Sequence, residues 1–337
     1  MTHQVSRTER LARLLTRSGL DRLARMSWRG LLILNYHRIG VPGELDDPDL
    51  FSATPEDFEA QVRLLADRFE IVPAGTADLD AETPARRIAI TVDDGYRDMT
   101  VAAEILSAHG VPGSFFICTG FIDEPHHAWW DEIAWLTAQP IARDLPASEW
   151  LPHGLPVHGR GPAEVRRALT AAYKQRAGER GEDFLDWLAR CVGRARPDAE
   201  RATEQWLTWE AVRSLERAGM EIGGHSVTHP VLANLNPQQQ HREIGESVRR
   251  LRDELAGPVD TFAYPVGSRA AFDRHTKDAL ADLGIRRAFS FCGGVNRARR
   301  SERYDVRRAG VFRDHSPAVV GAIAAVPGVL ASPRQYA

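Results

Sequence analysis

Two adjacent carboxylates, Asp93 and Asp94, close an apolar run at residues 88–92 and precede Gly95. About 130 residues later two histidines, His225 and His229, stand four apart just after a second short apolar run. One carboxylate and two imidazoles make a three-ligand metal set, and the remaining carboxylate is then free for proton transfer. Successive side chains on an extended backbone point to opposite sides, so Asp93 and Asp94 cannot share a job. In a helical turn the spacing of the histidines would bring both rings to one face. Taken singly, each motif also fits a helix cap beside a solvated side chain. Together, at the ends of two separate strands, they point to metal-assisted hydrolysis.

The elements that must position these residues alternate. Strands are expected at residues 31–36, 88–92, 113–118, 220–223, 261–264, 288–292 and 304–308. Helices are expected at 54–69, 101–109, 208–218, 237–256 and 276–283. Such alternation specifies a parallel sheet covered by helices, and seven strands predict an α/β fold, a distorted or partly open (β/α)7-type barrel. The barrel is expected over residues 31–120 and 206–315, with 316–337 as a C-terminal tail. Residues 121–205 interrupt the pattern and contain Trp129, Trp130, Trp135, Trp150 and Trp187. An insertion of this size belongs on the loop-bearing face of a barrel, where it would form a Trp-rich cap.

Composition narrows the function classes. The 43 basic and 46 acidic side chains nearly balance, so no net field draws the chain to nucleic acid. Three scattered cysteines, Cys118, Cys191 and Cys292, argue against a disulfide framework and fit a reducing compartment. No secretory signal and no membrane-spanning run is apparent, so the chain reads as cytoplasmic. Residues 1–30 read as an amphipathic helix with leucines on one face and arginines on the other. It either packs on the barrel or makes a peripheral membrane contact through residues 7–25.

The run Thr91, Val92, Asp93, Asp94, Gly95 resembles the first signature of the NodB-type polysaccharide deacetylases, carbohydrate esterase family 4. His225, Ser226, Val227, Thr228 and His229 match that family's second signature. The Asn35, Tyr36, His37, Arg38 run and residues 262–267 are similar to further family segments. The resemblance implies that Asp94, His225 and His229 bind a divalent metal and that Asp93 is the general base. Zinc suits two imidazoles and a carboxylate, and Co2+ or Ni2+ is also tolerated by this donor set. The implied activity is hydrolysis of the N-acetyl amide of an amino sugar in a polysaccharide, oligosaccharide or lipid-linked precursor.

The third signature departs from the family pattern. Ala263 stands where an arginine normally orients the base, and Val266 replaces an aromatic residue. The backbone N–H of Val266 can still serve as the oxyanion donor. Arg307 or Arg308, at the end of the last expected strand, is the candidate replacement for the missing arginine. The acid that protonates the leaving amine is open between His315 and His37. Tyr264, Pro265, Trp129, Trp130 and Asp131 are candidate substrate contacts, the tryptophans equally serving as the core of a cap. Two rivals remain: a hydrolase of a small cyclic amide or ureide on the same scaffold, and a catalytically silent glycan-binding protein. Neither the sugar nor the oligomeric state is specified by the sequence.

Overall fold

The computed structural model describes residues 28–75, 86–297 and 302–331. The amphipathic segment at residues 7–25 lies outside the described residues.

The strands are β1 (Gly30–Tyr36), β2 (Arg38–Ile39), β3 (Phe51–Ala53), β4 (Glu70–Ile71), β5 (Arg86–Asp94), β6 (Ser114–Ile117), β7 (Glu221–Gly224), β8 (Thr261–Ala263), β9 (Arg287–Ser290), β10 (Val306–Arg307) and β11 (Ala309–Gly310). All barrel pairings are parallel, in the order β10-β9-β8-β7-β6-β5-β1-β11, with β4 bordering the start of β5. The two ends of this path are one stretch of chain. β10 pairs with β9, β11 pairs with β1, and Arg308 alone separates them. A kinked seventh stave therefore nearly closes the barrel, as the (β/α)7 expectation requires. The short pair β2 and β3 stands apart from it.

The period-2 pleat sorts the strand residues. Leu31, Ile33, Ala89, Phe116, Ala263, Phe289 and Val306 face inward and form a small buried cluster. Leu32, Leu34, Tyr36, Ile88, Ile90, Val92, Phe115 and Ile117 face outward and join the main core beneath the helices. Gly223 lies in the wall where a Cβ would come within 2.6 Å of Phe116 and Thr261. Only glycine lets Phe116 occupy the lumen at that level.

The longer helices are α1 (Pro55–Ala66), α2 (Met99–Ala108), α3 (Trp129–Thr137), α4 (Pro162–Arg176), α5 (Gly181–Val192), α6 (Trp209–Arg217), α7 (Pro237–Glu254), α8 (Arg274–Asp282) and α9 (Pro317–Ala325). Thr54, Thr208, Asn236 and Ser316 accept from backbone N–H groups that would be orphaned at the starts of α1, α6, α7 and α9. Helix α9 packs on α1, and its Ala324 carbonyl accepts from the Trp28 indole. Residues 317–325, expected as part of a tail, instead complete the helical layer because seven of their nine residues are buried.

Helices α3, α4 and α5 build a second hydrophobic cluster around Trp129, Trp130, Trp150 and Phe184. Trp206 belongs to the same cluster and stacks on Tyr96 and Phe121 at centroid distances of 4.3 and 4.1 Å. Among the described residues no helix is long and apolar enough to cross a membrane.

Candidate metal centre and active site

Asp93 continues the inward parity of Ala89 and Thr91 and points into the mouth of the barrel. Asp94 ends β5 with φ at +90°, which swings its carboxylate off the outward parity it would otherwise follow. Non-glycine residues with positive φ are uncommon, and strain of this kind persists where surrounding structure enforces it. Among the described residues there are four, Asp94, Ser226, His229 and Val266, and all belong to the three signature segments.

The two histidines do not sit on a helical turn. His225 follows β7, its N–H bonded to the Ile117 carbonyl, and residues 226–229 form a tight irregular loop. Ser226 and His229 take left-handed backbone, and Ser226 Oγ accepts from the His229 N–H. Glu243 of α7 stabilises the loop from outside by accepting from the N–H groups of Val227 and Thr228 and from the Thr228 hydroxyl. The loop thus achieves what a helical turn was expected to do, and the ring centroids lie 4.9 Å apart.

Asp94, His225 and His229 are all buried, and their donor atoms fall within 4.8 Å of one another. The Nε2 atoms of His225 and His229 are 3.3 and 3.5 Å from Asp94 Oδ1. His225 Nδ1 lies 2.8 Å from the Ala263 carbonyl, which fixes the proton on Nδ1 and leaves the Nε2 lone pair facing Asp94. Burial, followed by the neighbouring His225, pushes His229 down to about 3 and keeps it a neutral imidazole. Burial would raise the Asp94 carboxyl, but the His225 hydrogen bond and the nearby His37 and His229 hold it below the usual range. Asp94 Oδ2 and His229 Nδ1 are buried polar atoms without a hydrogen-bond partner. Two imidazole Nε2 atoms turned toward an ionised carboxylate that keeps one oxygen unmet fit a divalent cation.

Asp93 is held by Arg308. The guanidinium donates through NH1 to Oδ1 at 2.7 Å and through NH2 to Oδ2 at 2.8 Å, with both residues essentially buried. Burial alone would raise the Asp93 carboxyl; Arg308, then His225, outweigh it and set the pKa below its ordinary value. Arg308 Nε is braced by the Ser290 carbonyl, and the guanidinium lies 5.5 Å from the Phe116 ring centre. Of the two candidate arginines, Arg308 is thus the one brought to Asp93. Arg307, on the outward parity, has an exposed side chain and uses its backbone to pair with Asn296.

Val266 sits at φ +62° between Pro265 and Gly267, whose N–H returns to the Pro265 carbonyl. Among the described residues no acceptor meets the Val266 N–H. His37 follows β1 at the same mouth, edge-on to Phe291, and the charges of Asp94 and Asp93 act on it. Burial nonetheless lowers its pKa. The His315 carbonyl accepts from Gln61 of α1, and its ring abuts Phe312, which in turn meets Phe291.

Two expected substrate contacts, Tyr264 and Asp131, are placed elsewhere. Tyr264 faces outward, stacked on Phe272 at 4.0 Å with its hydroxyl on the Tyr304 carbonyl, so it is core. Asp131 is buried, accepting from the Tyr96 hydroxyl and the Asp47 N–H, and burial pushes it up to about 7. Trp129 and Trp130 are buried in the second cluster, yet both touch the histidine loop. The Trp130 ring meets His229 at 4.5 Å, and the Trp129 indole reaches the His229 carbonyl. Sequence reasoning assigned no role to Asn35 or Tyr96, although one polar residue, Asn35, inside the apolar run 31–36 was a visible signal.

Residues 179–288 match the family model described as polysaccharide deacetylase, a stretch that holds His225 and His229 but not Asp93 and Asp94. The chain is also similar in structure to the deacetylase PplD of Streptococcus pyogenes, with a TM-score of 0.55, 16% identity and coverage of 86% of this chain and 95% of that one. The fold is that of the polysaccharide deacetylases. IcaB from Ammonifex degensii gives the same TM-score of 0.55 at 18% identity, covering 88% and 98% of the two chains. A de-N-acetylase from Aggregatibacter actinomycetemcomitans gives 0.51 at 15% identity, covering 86% and 97%. No curated protein sequence matches the chain. The resemblance of the signatures to the NodB-type deacetylases is borne out, and the seven-stave deacetylase barrel explains why residues 130 apart in sequence meet at one mouth.

Proposed function

We propose that this chain is a metal-dependent hydrolase that removes the N-acetyl group from an amino sugar of a glycan or glycan precursor. The observation that carries the proposal is a buried carboxylate, Asp93, held ionised by Arg308 directly beside the Asp94, His225 and His229 cluster. A bound cation alone would not require a second, clamped carboxylate. The family match over residues 179–288 and the deacetylase fold support the same chemistry.

Asp94, His225 and His229 would hold the ion. When bound, it would act as a Lewis acid toward the amide carbonyl and lower the pKa of water, whether zinc, cobalt or nickel fills the site. Asp93 takes the proton from the attacking water; Arg308 keeps that carboxylate oriented and charged until it does so. Val266 offers its unengaged N–H to the oxygen that becomes negative as the carbonyl carbon turns tetrahedral. His37, on which the charges of both carboxylates act, delivers a proton to the departing amine. Residues 121–205 form a cap whose Trp129 and Trp130 press on the His229 loop and set its position.

The test is release of acetate and free amine from N-acetylglucosamine oligomers, assayed beside small cyclic amides. The proposal expects turnover of the glycans and its loss, by at least about a hundredfold, in Asp93→Asn. Turnover of the cyclic amides alone, or full activity of Asp93→Asn, would contradict it.

A further inference from the structure

Asn35 has no assigned role, and it is completely buried in the lumen one pleat below the mouth. Its side chain makes three hydrogen bonds that converge on the Asp93 and Arg308 pair. Nδ2 donates to Asp93 Oδ2 at 3.2 Å; Oδ1 accepts from Arg308 NH1 at 2.8 Å and from the Thr91 hydroxyl at 2.6 Å. A guanidinium only donates and an ionised carboxylate only accepts, so the amide has one workable orientation.

The backbone places this amide with little freedom. Asn35 and Thr91 are registered partners on β1 and β5, and Asn35 is also registered with Gly310 on the far side of the seam. Asn35 therefore sits where β1 bridges the strand that carries Asp93 and the segment that carries Arg308. Here the arginine arrives from the seam, and a group with both a donor and an acceptor must hold guanidinium and carboxylate in one plane.

We infer that Asn35 is a positioning residue that locks the plane of the Arg308 and Asp93 pair, and through it the base. This rests on the proposed deacetylase function for its kinetic consequence, not for its geometry. Asn35 touches neither the metal ligands nor, at its depth, a substrate, so its loss acts on turnover and not on substrate binding.

Two substitutions separate this role from simple space filling. Asn35→Asp keeps the shape but replaces the donor with a second acceptor opposite Asp93 and a competitor for Arg308. Asn35→Ala removes the volume as well. A packing role predicts that Asp is tolerated and Ala is not. The positioning role predicts that Asp is at least as damaging as Ala, with kcat lowered by about a hundredfold and KM unchanged within about twofold. Crystal structures of the metal-free variants give a readout independent of turnover, in which the Asp93 carboxylate is expected to rotate away from Arg308. Should Asn35→Asp not fold, Thr91→Val carries the test, with a smaller kcat loss and the same unchanged KM. An Asn35→Asp protein with kcat within about twofold of wild type, or with the Arg308 pair unmoved in the crystal, overturns the inference. If wild type released acetate from no glycan, the proposed function would fail while the crystallographic comparison still decided the role of Asn35.

Discussion

Replacing Arg308 with methionine is the perturbation whose size follows most directly from the structure. The guanidinium is about 1% exposed and donates two charge-assisted bonds of 2.7 and 2.8 Å to a carboxylate about 2% exposed. Methionine fills most of the volume, so the cost falls on the carboxylate, left with only the 3.2 Å bond from Asn35. A buried charge stripped of its partner costs about 3–5 kcal/mol. In wild type the Asp93 pKa lies below that of the unfolded chain, so the stability it confers is present above the unfolded pKa and fades as pH falls through the folded value. Without Arg308, burial is opposed only by the weaker pull of His225 and His37, so the pKa rises, and the carboxyl escapes part of the penalty by taking up a proton in acid. Urea unfolding of metal-free wild type and Arg308→Met is therefore expected to show a deficit of about 3–5 kcal/mol near neutrality that narrows toward about pH 4. The double variant Arg308→Met with Asp93→Leu, which buries no charge, should recover much of the loss. A deficit below about 1 kcal/mol, or one independent of pH, would refute the view that Arg308 compensates a buried carboxylate.

The Asp131 carboxyl, raised to about 7 when folded, contributes stability in acid that is lost as pH rises from near 4 toward 7; Asp131→Asn should remove this slope, and an unchanged profile by urea titration would count against the buried Tyr96 and Asp131 network. Val266→Gly relieves left-handed backbone worth about 1–2 kcal/mol against a glycine entropy cost of about 0.5–1 kcal/mol, so calorimetry should show a net gain near 0.5–1 kcal/mol; a loss would mean the half-buried valine side chain matters more than its backbone. Zinc at about a hundredfold excess over its dissociation constant should stabilise the protein by about 2.7 kcal/mol. His229→Ala should abolish that gain, and an equal gain in the variant would place the ion elsewhere.

Much of the barrel could be read from the sequence because its seven staves are short apolar runs punctuated at regular intervals. The second hydrophobic cluster was foreshadowed by its tryptophans, since nothing in a β/α alternation calls for five of them in one loop. What the sequence concealed is tied to tertiary context. The i, i+4 spacing of His225 and His229 suggested a helical turn, but left-handed Ser226 and His229, held by Glu243 from α7, supply the convergence. The arginine that orients Asp93 was narrowed to two neighbours, and strand parity chose Arg308, because its neighbour Arg307 lies on the outer face. Asn35 went unassigned because its bonding partners lie 58 and 273 residues away. Tyr264 and Asp131 were misplaced because polar tips on buried side chains look alike in sequence, whether they face a substrate or a carbonyl.

On the proposed function, Asp94, His225 and His229 hold an ion that serves Asp93 in removing an acetyl group. The most direct measurement is acetate release from N-acetylglucosamine oligomers by protein stripped of metal with a chelator and then titrated with zinc, cobalt or nickel. No release is expected from the stripped protein, and full recovery at one equivalent of ion per chain. Equal release with and without metal, or none at one bound equivalent, would contradict it.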